Sequence, residues 1–207
     1  MQKDLAALWH FTPIQNLNSI LDQSRLLSQA ASIRAGFQPT FVSDAFSRKE
    51  DLVNGRSNYV FLSLAPYSPF FKKSAAYSTH VWFRISPDIL TIPGVKFKSG
   101  ASQSKYISLM DMNPDHLRAA TRIVRSETRI KYREDGGPDL RLFRLDASLD
   151  PITREILSIE VLVPSEVDLA RYADGIYVVS SSGVTVLLHP VDVASRPKLP
   201  MSIRRDF

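Results

Sequence analysis

The chain of 207 residues contains no cysteine. This absence excludes disulfides, thiolate nucleophiles and every zinc site that depends on cysteine ligands. Histidine is also scarce, and no two of the four histidines lie three to five residues apart. Because paired histidines at that spacing are typical of metal sites, no metal centre is expected. The four are His10, His80, His116 and His189.

Long apolar runs are missing as well. No run approaches the roughly 20 residues needed to cross a bilayer, and residues 1–8 lack the charged start and apolar stretch of a secretory signal. Together with the lack of cysteine, this predicts a cytoplasmic protein without membrane contact. The motifs GxGxxG, GxxxxGK(S/T) and GxSxG do not occur. A Rossmann site, a P-loop and a hydrolase nucleophile elbow are therefore not predicted.

The composition is that of a globular protein, with 44% hydrophobic and 23% charged residues. These values exclude a collagen, a coiled coil and a wholly disordered chain. The length suits one compact domain. We expect a single domain over residues 1–194, followed by a basic tail over residues 195–207.

Short strands and short helices follow one another without regular βαβ alternation, which predicts an α+β fold around a twisted, mostly antiparallel sheet with short peripheral helices. Thr12 and Pro13 form the pattern of an N-cap followed by proline at the first helical position, and apolar spacing extends that helix to Gln23. Residues 29–57 predict a long functional loop with a short helix over 46–52. Strands are predicted over 6–11, 58–64, 80–85, 95–98 and 157–163, helices over 68–76 and 164–172, and a hairpin of 176–179 with 184–188.

Positive charge is concentrated in one segment. The chain has 26 Lys and Arg against 21 Asp and Glu, a net charge of +5, and residues 118–144 alone hold eight basic and four acidic residues. Such a segment either presents a solvated helix face or recruits phosphate backbones. Three arginines at i, i+4 and i+7 share one helical face, and an aromatic ring lies among the cations that follow, which favours nucleic acid. The predicted nucleic-acid-binding residues are Arg118, Arg122, Arg125, Arg129, Lys131, Tyr132 and Arg133.

Two polar residues lie in apolar surroundings. His10 belongs to an apolar strand directly before a helix start, and Glu160 belongs to the run LSIEVLV. Burying a carboxylate there costs several kcal/mol unless it is paired or faces a cleft. His10 alone also fits a hydrogen-bonded histidine at a strand end, and Glu160 alone fits the polar face of an edge strand.

The order of motifs resembles the DarT family of DNA ADP-ribosyltransferase toxins. Residues 10–21, HFTPIQNLNSIL, resemble the family's strand that ends in His-x-Thr and the helix with Asn-Leu-x-x-Ile-Leu that follows it. Leu26 and Leu27 match the Leu-Leu return after that helix. The later matches are residues 58–61, 68–70, 159–164 and 175–178, so the resemblance covers roughly residues 7–180.

This resemblance implies NAD as co-substrate and an ADP-ribosyltransferase-like fold. It implies that Glu160 stabilises an oxocarbenium-like ribose, by analogy with glycoside cleavage, and that Glu160 is suited to accept a proton. The implied catalytic residues are Glu160, His10 and Arg48, where Arg48 is the arginine of the loop and Arg56 is the second candidate for that role. The implied NAD-binding residues are His10, Thr12, Asn16, Arg48, Tyr59 and Tyr67, where Tyr67 stands at a position that is often arginine in the family; Phe61 fits either nicotinamide or the core.

The resulting hypothesis is a glycosyltransferase that moves ADP-ribose from NAD to a base of single-stranded DNA, without a metal. It also implies the toxin of a toxin–antitoxin system with a cognate antitoxin. Three alternatives remain open at this stage: transfer to RNA or protein, an RNA 2′-phosphotransferase, which also uses NAD, and a non-catalytic nucleic-acid-binding domain that uses the basic stripe alone.

Overall fold

The computed structural model describes residues 7–41, 43, 45–64, 80–98, 109–111, 159–180 and 183–188. The strands are β1 (Leu8–Pro13), β2 (Arg25–Leu27), β3 (Tyr59–Ser63), β4 (His80–Ile85), β5 (Lys96–Lys98), β6 (Leu109–Asp111), β7 (Glu160–Pro164), β8 (Glu166–Asp168), β9 (Ala173–Ser180) and β10 (Gly183–Leu188). The helices are α1 (Leu17–Gln23), α2 (Gln29–Arg34), α3 (Ala45–Val53) and α4 (Leu169–Tyr172), with 3-10 turns at Ile14–Asn16, Arg56–Asn58 and Pro87–Thr91.

Eight strands form one sheet in the order β10-β9-β4-β1-β3-β7-β5-β6, and each neighbouring pair in it is antiparallel. β2 and β8 form a separate two-stranded ladder. The predicted α+β fold with a mostly antiparallel sheet therefore agrees with this architecture. Among the described residues, no helix has the length and apolar character required to cross a membrane.

The main core lies on one face of the sheet, because strand residues alternate between its two sides. Val81, Phe83 and Ile85 of β4 are fully buried there, and they pack with Leu62 of β3 and Val161 of β7 in one apolar cluster. The helices α1 and α4 contribute Leu17 and Leu169 to the same cluster. Burying such side chains is the main favourable term in folding.

The two central strands β1 and β3 touch at a single register position, Trp9 opposite Ser63. On its other side, β1 pairs with β4 along its whole length. Away from that point β1 and β3 are not paired, and we call this gap in the sheet the split. It leaves room for side chains from both strands.

Several sequence predictions need correction. Thr12 is not an N-cap: β1 continues to Pro13, and a 3-10 turn precedes α1. The predicted helix over 164–172 is a strand, β8, followed by the four-residue α4. The loop over 29–57 contains α2 in addition to the predicted short helix, which α3 confirms. The predicted helix over 68–76, the basic helix and the tail lie outside the described residues.

Candidate active site

A cleft of about 950 Å³ lies beside the split between β1 and β3. Its walls come from β1 and α1, from residues 37–41 and 43 and α3, and from the strands β3, β5 and β7. Eight candidate site residues from the sequence line it: His10, Thr12, Asn16, Arg48, Arg56, Tyr59, Phe61 and Glu160. Tyr67 and the predicted nucleic-acid-binding residues of 118–133 lie outside the described residues.

Glu160 lies at the start of β7, where its cross-strand neighbours are Ser63 on β3 and Lys98 on β5. All three residues line the cleft. The Glu160 side chain is 24% exposed, and its Oε2 accepts a hydrogen bond from Nζ of Lys98 at 2.7 Å. The interpretation of Glu160 as a purely solvated strand residue therefore does not apply, since the carboxylate is partly buried, ion-paired and at a cleft.

The His10 imidazole bridges the split in the sheet. Its Nδ1 lies 2.9 Å from the backbone oxygen of Phe61. A carbonyl oxygen can only accept, so Nδ1 carries the proton, and in the neutral ring Nε2 is an acceptor. Burial lowers the pKa of His10, and the bond to Phe61 opposes this in part. The site therefore favours a neutral histidine that can accept a hydrogen bond from a ligand in the cleft.

Asn16, in the 3-10 turn before α1, is hydrogen-bonded to Thr40, which also lines the cleft. Its Nδ2 donates to Oγ1 of Thr12 and to the Thr40 carbonyl, each at 2.8 Å, and its Oδ1 accepts from the Thr40 amide at 2.8 Å. Both amide protons are thus used within the protein. This arrangement makes Asn16 a tether for Thr40, a role that the sequence did not indicate because the two lie 24 residues apart.

Arg48 on α3 lies over the ring of Phe41, the residue that follows Thr40. Its guanidinium lies 5.0 Å from the ring centroid of Phe41, and it donates to the backbone oxygen of Ser43. Arg56, the second candidate, is buried and forms an ion pair with Asp51 at 2.8 Å. Of the two, Arg48 has the more open position, while Arg56 joins α3 to the 3-10 turn before β3.

The cleft fits a dinucleotide in its chemistry. Its volume lies at the upper end of the usual range for small-molecule sites, about 300–1,000 Å³. Exposed aromatic rings suited to stacking on flat heterocycles are present, guanidinium groups suit a pyrophosphate, and a carboxylate and a histidine acceptor suit ribose hydroxyls. The rings are Phe37, Phe41 and Phe46.

Sequence reasoning missed Lys98, Ser63, Thr40 and Phe41, all of which line the cleft. Lys98 falls in a predicted strand, but its partner Glu160 is 62 residues away. Its buried position follows from the β5–β7 pairing, which no local pattern encodes. Among residues 7–41, 43, 45–64, 80–98 and 159–178, no three His, Asp or Glu side chains form a metal-binding group.

Solved structures with the same fold are DarT proteins. The structure of Thermosipho africanus DarTG in complex with ADP-ribose superposes with a TM-score of 0.57 at 18% identity, over 85% of this chain and 44% of that one. Thermus sp. 2.9 DarT in complex with ADP-ribosylated ssDNA gives 0.60 at 16% identity, over 88% and 87%. The same protein with carba-NAD+ gives 0.50 at 13% identity, over 79% and 77%. This chain thus spans less than half of the Thermosipho africanus protein.

These likenesses confirm the predicted fold. No curated protein matches the chain. A family model does match: residues 9–206 fit the model described as ssDNA thymidine ADP-ribosyltransferase, DarT. Since the match covers nearly the whole chain, this protein belongs to the DarT family.

Proposed function

We propose that this chain transfers ADP-ribose from NAD to a thymine base of single-stranded DNA, and that the cleft beside β1 and β3 is the active site. One observation carries the proposal: Glu160 and His10, which lie 150 residues apart in the sequence, line the same cleft in a member of this family. The structures of Thermus sp. 2.9 DarT with carba-NAD+ and with ADP-ribosylated ssDNA support both substrates.

Glu160 is the proposed catalytic carboxylate. When nicotinamide leaves, positive charge develops on the ribose, and a fixed carboxylate beside it stabilises that charge. In the overall step, the bond between ribose C1′ and the nicotinamide nitrogen breaks, and its electron pair leaves with nicotinamide. C1′ then forms a bond to the base, which releases a proton. Because the Glu160 side chain is largely buried, its carboxylate acts more strongly than it would in bulk solvent.

His10 and Thr12 are the proposed contacts of the nicotinamide half. The neutral His10 offers Nε2 as an acceptor for a ribose hydroxyl or for the carboxamide N–H. Thr12 is buried at the same end of β1, and its hydroxyl accepts from Asn16 and retains its own proton for donation. Tyr59 and Phe61 line the cleft near these residues and offer ring faces to nicotinamide.

Arg48 is the proposed contact for the pyrophosphate or for the incoming base. Stacking on Phe41 orients the plane of its guanidinium, and the bond to Ser43 uses one of its donors. The other donors of the fork remain suited to a phosphate or a carbonyl. Asn16 supports this arrangement through Thr40 and is proposed to act on NAD binding indirectly.

Single-stranded DNA suits this chemistry because its bases are already unstacked. The basic residues of 118–133 are proposed to hold its phosphates. Modification of cellular DNA bases is harmful to the cell that makes the enzyme, and the solved relative is a DarTG protein. We therefore infer a cytoplasmic toxin that is controlled by a cognate antitoxin.

The experiment uses radiolabelled NAD with separate pools of single-stranded DNA, RNA and protein. The expected result is label in DNA alone, in thymine-containing oligonucleotides, with the E160Q variant at least about 10²-fold slower. Label in RNA or protein alone would overturn the proposed substrate. Full activity of folded E160Q would overturn the proposed role of the carboxylate.

A further inference from the structure

Lys98 is a buried cation at the floor of the cleft. Its side chain is 7% exposed, and its ammonium nitrogen lies 2.7 Å from Oε2 of Glu160 and 5.8 Å from the ring centroid of Phe61. A buried lysine is unusual unless it is paired. The strand pairing brings the two residues together, since β5 and β7 set Lys98 directly opposite Glu160.

The two oxygens of Glu160 are therefore not equivalent. Oε2 accepts from Lys98, whereas Oε1 makes no hydrogen bond to the part of the chain that the structure describes. A side chain with three rotatable bonds is otherwise free to turn its carboxylate away from the cleft. The short charge-assisted bond from the Lys98 ammonium removes most of that freedom.

We propose that Lys98 is a positioning residue that acts through Glu160. It holds Oε2 so that Oε1 faces the ribose of NAD, and it keeps the carboxylate in one orientation before the substrate binds. This inference rests on the proposed function of Glu160. It adds to the reaction a residue on β5 that touches the carboxylate and is not required to touch NAD.

The Phe61 ring contributes to the same arrangement. A cation about 6 Å from a ring centroid is attracted by the ring face, so the Phe61 ring also constrains the position of the ammonium. Phe61 also provides the backbone oxygen that His10 contacts. One residue of β3 thus joins the two ends of the proposed site.

The experiment compares single-turnover rates of the wild type, K98M, E160Q and the double variant K98M/E160Q, with radiolabelled NAD and a thymine-containing oligonucleotide. A misplaced catalytic group can cost about 10²-fold, so K98M is expected to lower the transfer rate by about that factor with little change in the KM for NAD. K96M is the matched control, since Lys96 lies two residues away on β5 and does not line the cleft. It is expected to keep the wild-type rate.

The double variant separates positioning from a general structural role. If Lys98 acts through the carboxylate, its replacement has no further effect once Glu160 is glutamine, and the two losses are strongly non-additive. Equal losses from K98M in both backgrounds would overturn the proposal, as would a wild-type rate in K98M. Neither result bears on the proposed function, which is tested separately by the labelling of single-stranded DNA and by the rate of E160Q.

Folding is checked by thermal unfolding of each variant. If K98M does not fold, K98Q replaces it, because glutamine removes the charge and retains an amide donor. The expected K98Q rate lies between those of the wild type and E160Q, and its loss disappears in the E160Q background. A K98Q rate equal to the wild type would overturn the requirement for the ammonium.

Discussion

The His10 imidazole donates a hydrogen bond to the backbone oxygen of Phe61 across the split between β1 and β3. This bond occupies the ring nitrogen that faces the protein and leaves the other nitrogen for the cleft. His10 therefore joins two strands where their ladder has opened, and we propose that it also offers an acceptor to NAD.

The H10N variant separates these functions. The Nδ2 of asparagine lies near the place of histidine Nδ1, so H10N is expected to keep the bond to Phe61 while it loses the acceptor at Nε2. The Tm should stay close to that of the wild type, and the Kd for NAD should rise by about tenfold, as expected for one hydrogen bond. Calorimetry and differential scanning fluorimetry measure both. A large fall in Tm with unchanged NAD affinity would show that His10 is a structural clamp alone.

The pH dependence of stability follows from the same residue. Burial lowers the pKa of His10 below its ordinary value of 6.5. Above that value, the histidine is neutral in the folded and the unfolded chain. Below it, the unfolded chain binds the proton first, so the free energy of unfolding falls as the pH drops toward the folded pKa. Urea unfolding from about pH 8 to about pH 5 should show this loss in the wild type and a smaller one in H10N. A steeper acid loss in H10N would contradict the assignment.

Arg48 is expected to be intolerant of even the conservative change to lysine. R48K keeps the charge but loses the planar fork that stacks on Phe41. Hydrogen bonds to charged groups contribute about 1.5–3 kcal/mol, so kcat/KM should fall by about 10- to 100-fold. K49A is the control, because Lys49 is exposed on the same helix and does not line the cleft. Equal losses in R48K and K49A would contradict a specific role for the Arg48 guanidinium.

The sequence allowed the main strands and the reaction class to be predicted. The runs Tyr59–Ser63 and His80–Ile85 are rich in β-branched and aromatic residues, and such local patterns are what strand prediction depends on. The match of the family model to residues 9–206 confirms the predicted relationship to the DarT family.

Other elements depend on contacts that the sequence does not display. β8 has three residues and pairs with β2, some 140 positions earlier, so its neighbours and not its own pattern make it a strand. The helix α2 has a weak apolar pattern, and its N-cap is Ser28, whose side chain accepts from the Ala31 amide. The tether from Asn16 to Thr40 likewise becomes visible only in three dimensions.

That tether yields the last prediction. N16A removes the partners of the backbone N–H and C=O of Thr40. Because Thr40 is exposed, water can replace these partners, and each lost bond costs about 0.5–1.5 kcal/mol. The Tm should fall, and the KM for NAD should rise more than kcat falls, because the segment that carries Phe41 beneath Arg48 is released while Glu160 is untouched. N18A is the matched control, since Asn18 is exposed on α1 and does not line the cleft. A rise in KM without any fall in Tm would instead show that Asn16 contacts NAD directly, with its bonds to Thr40 contributing little.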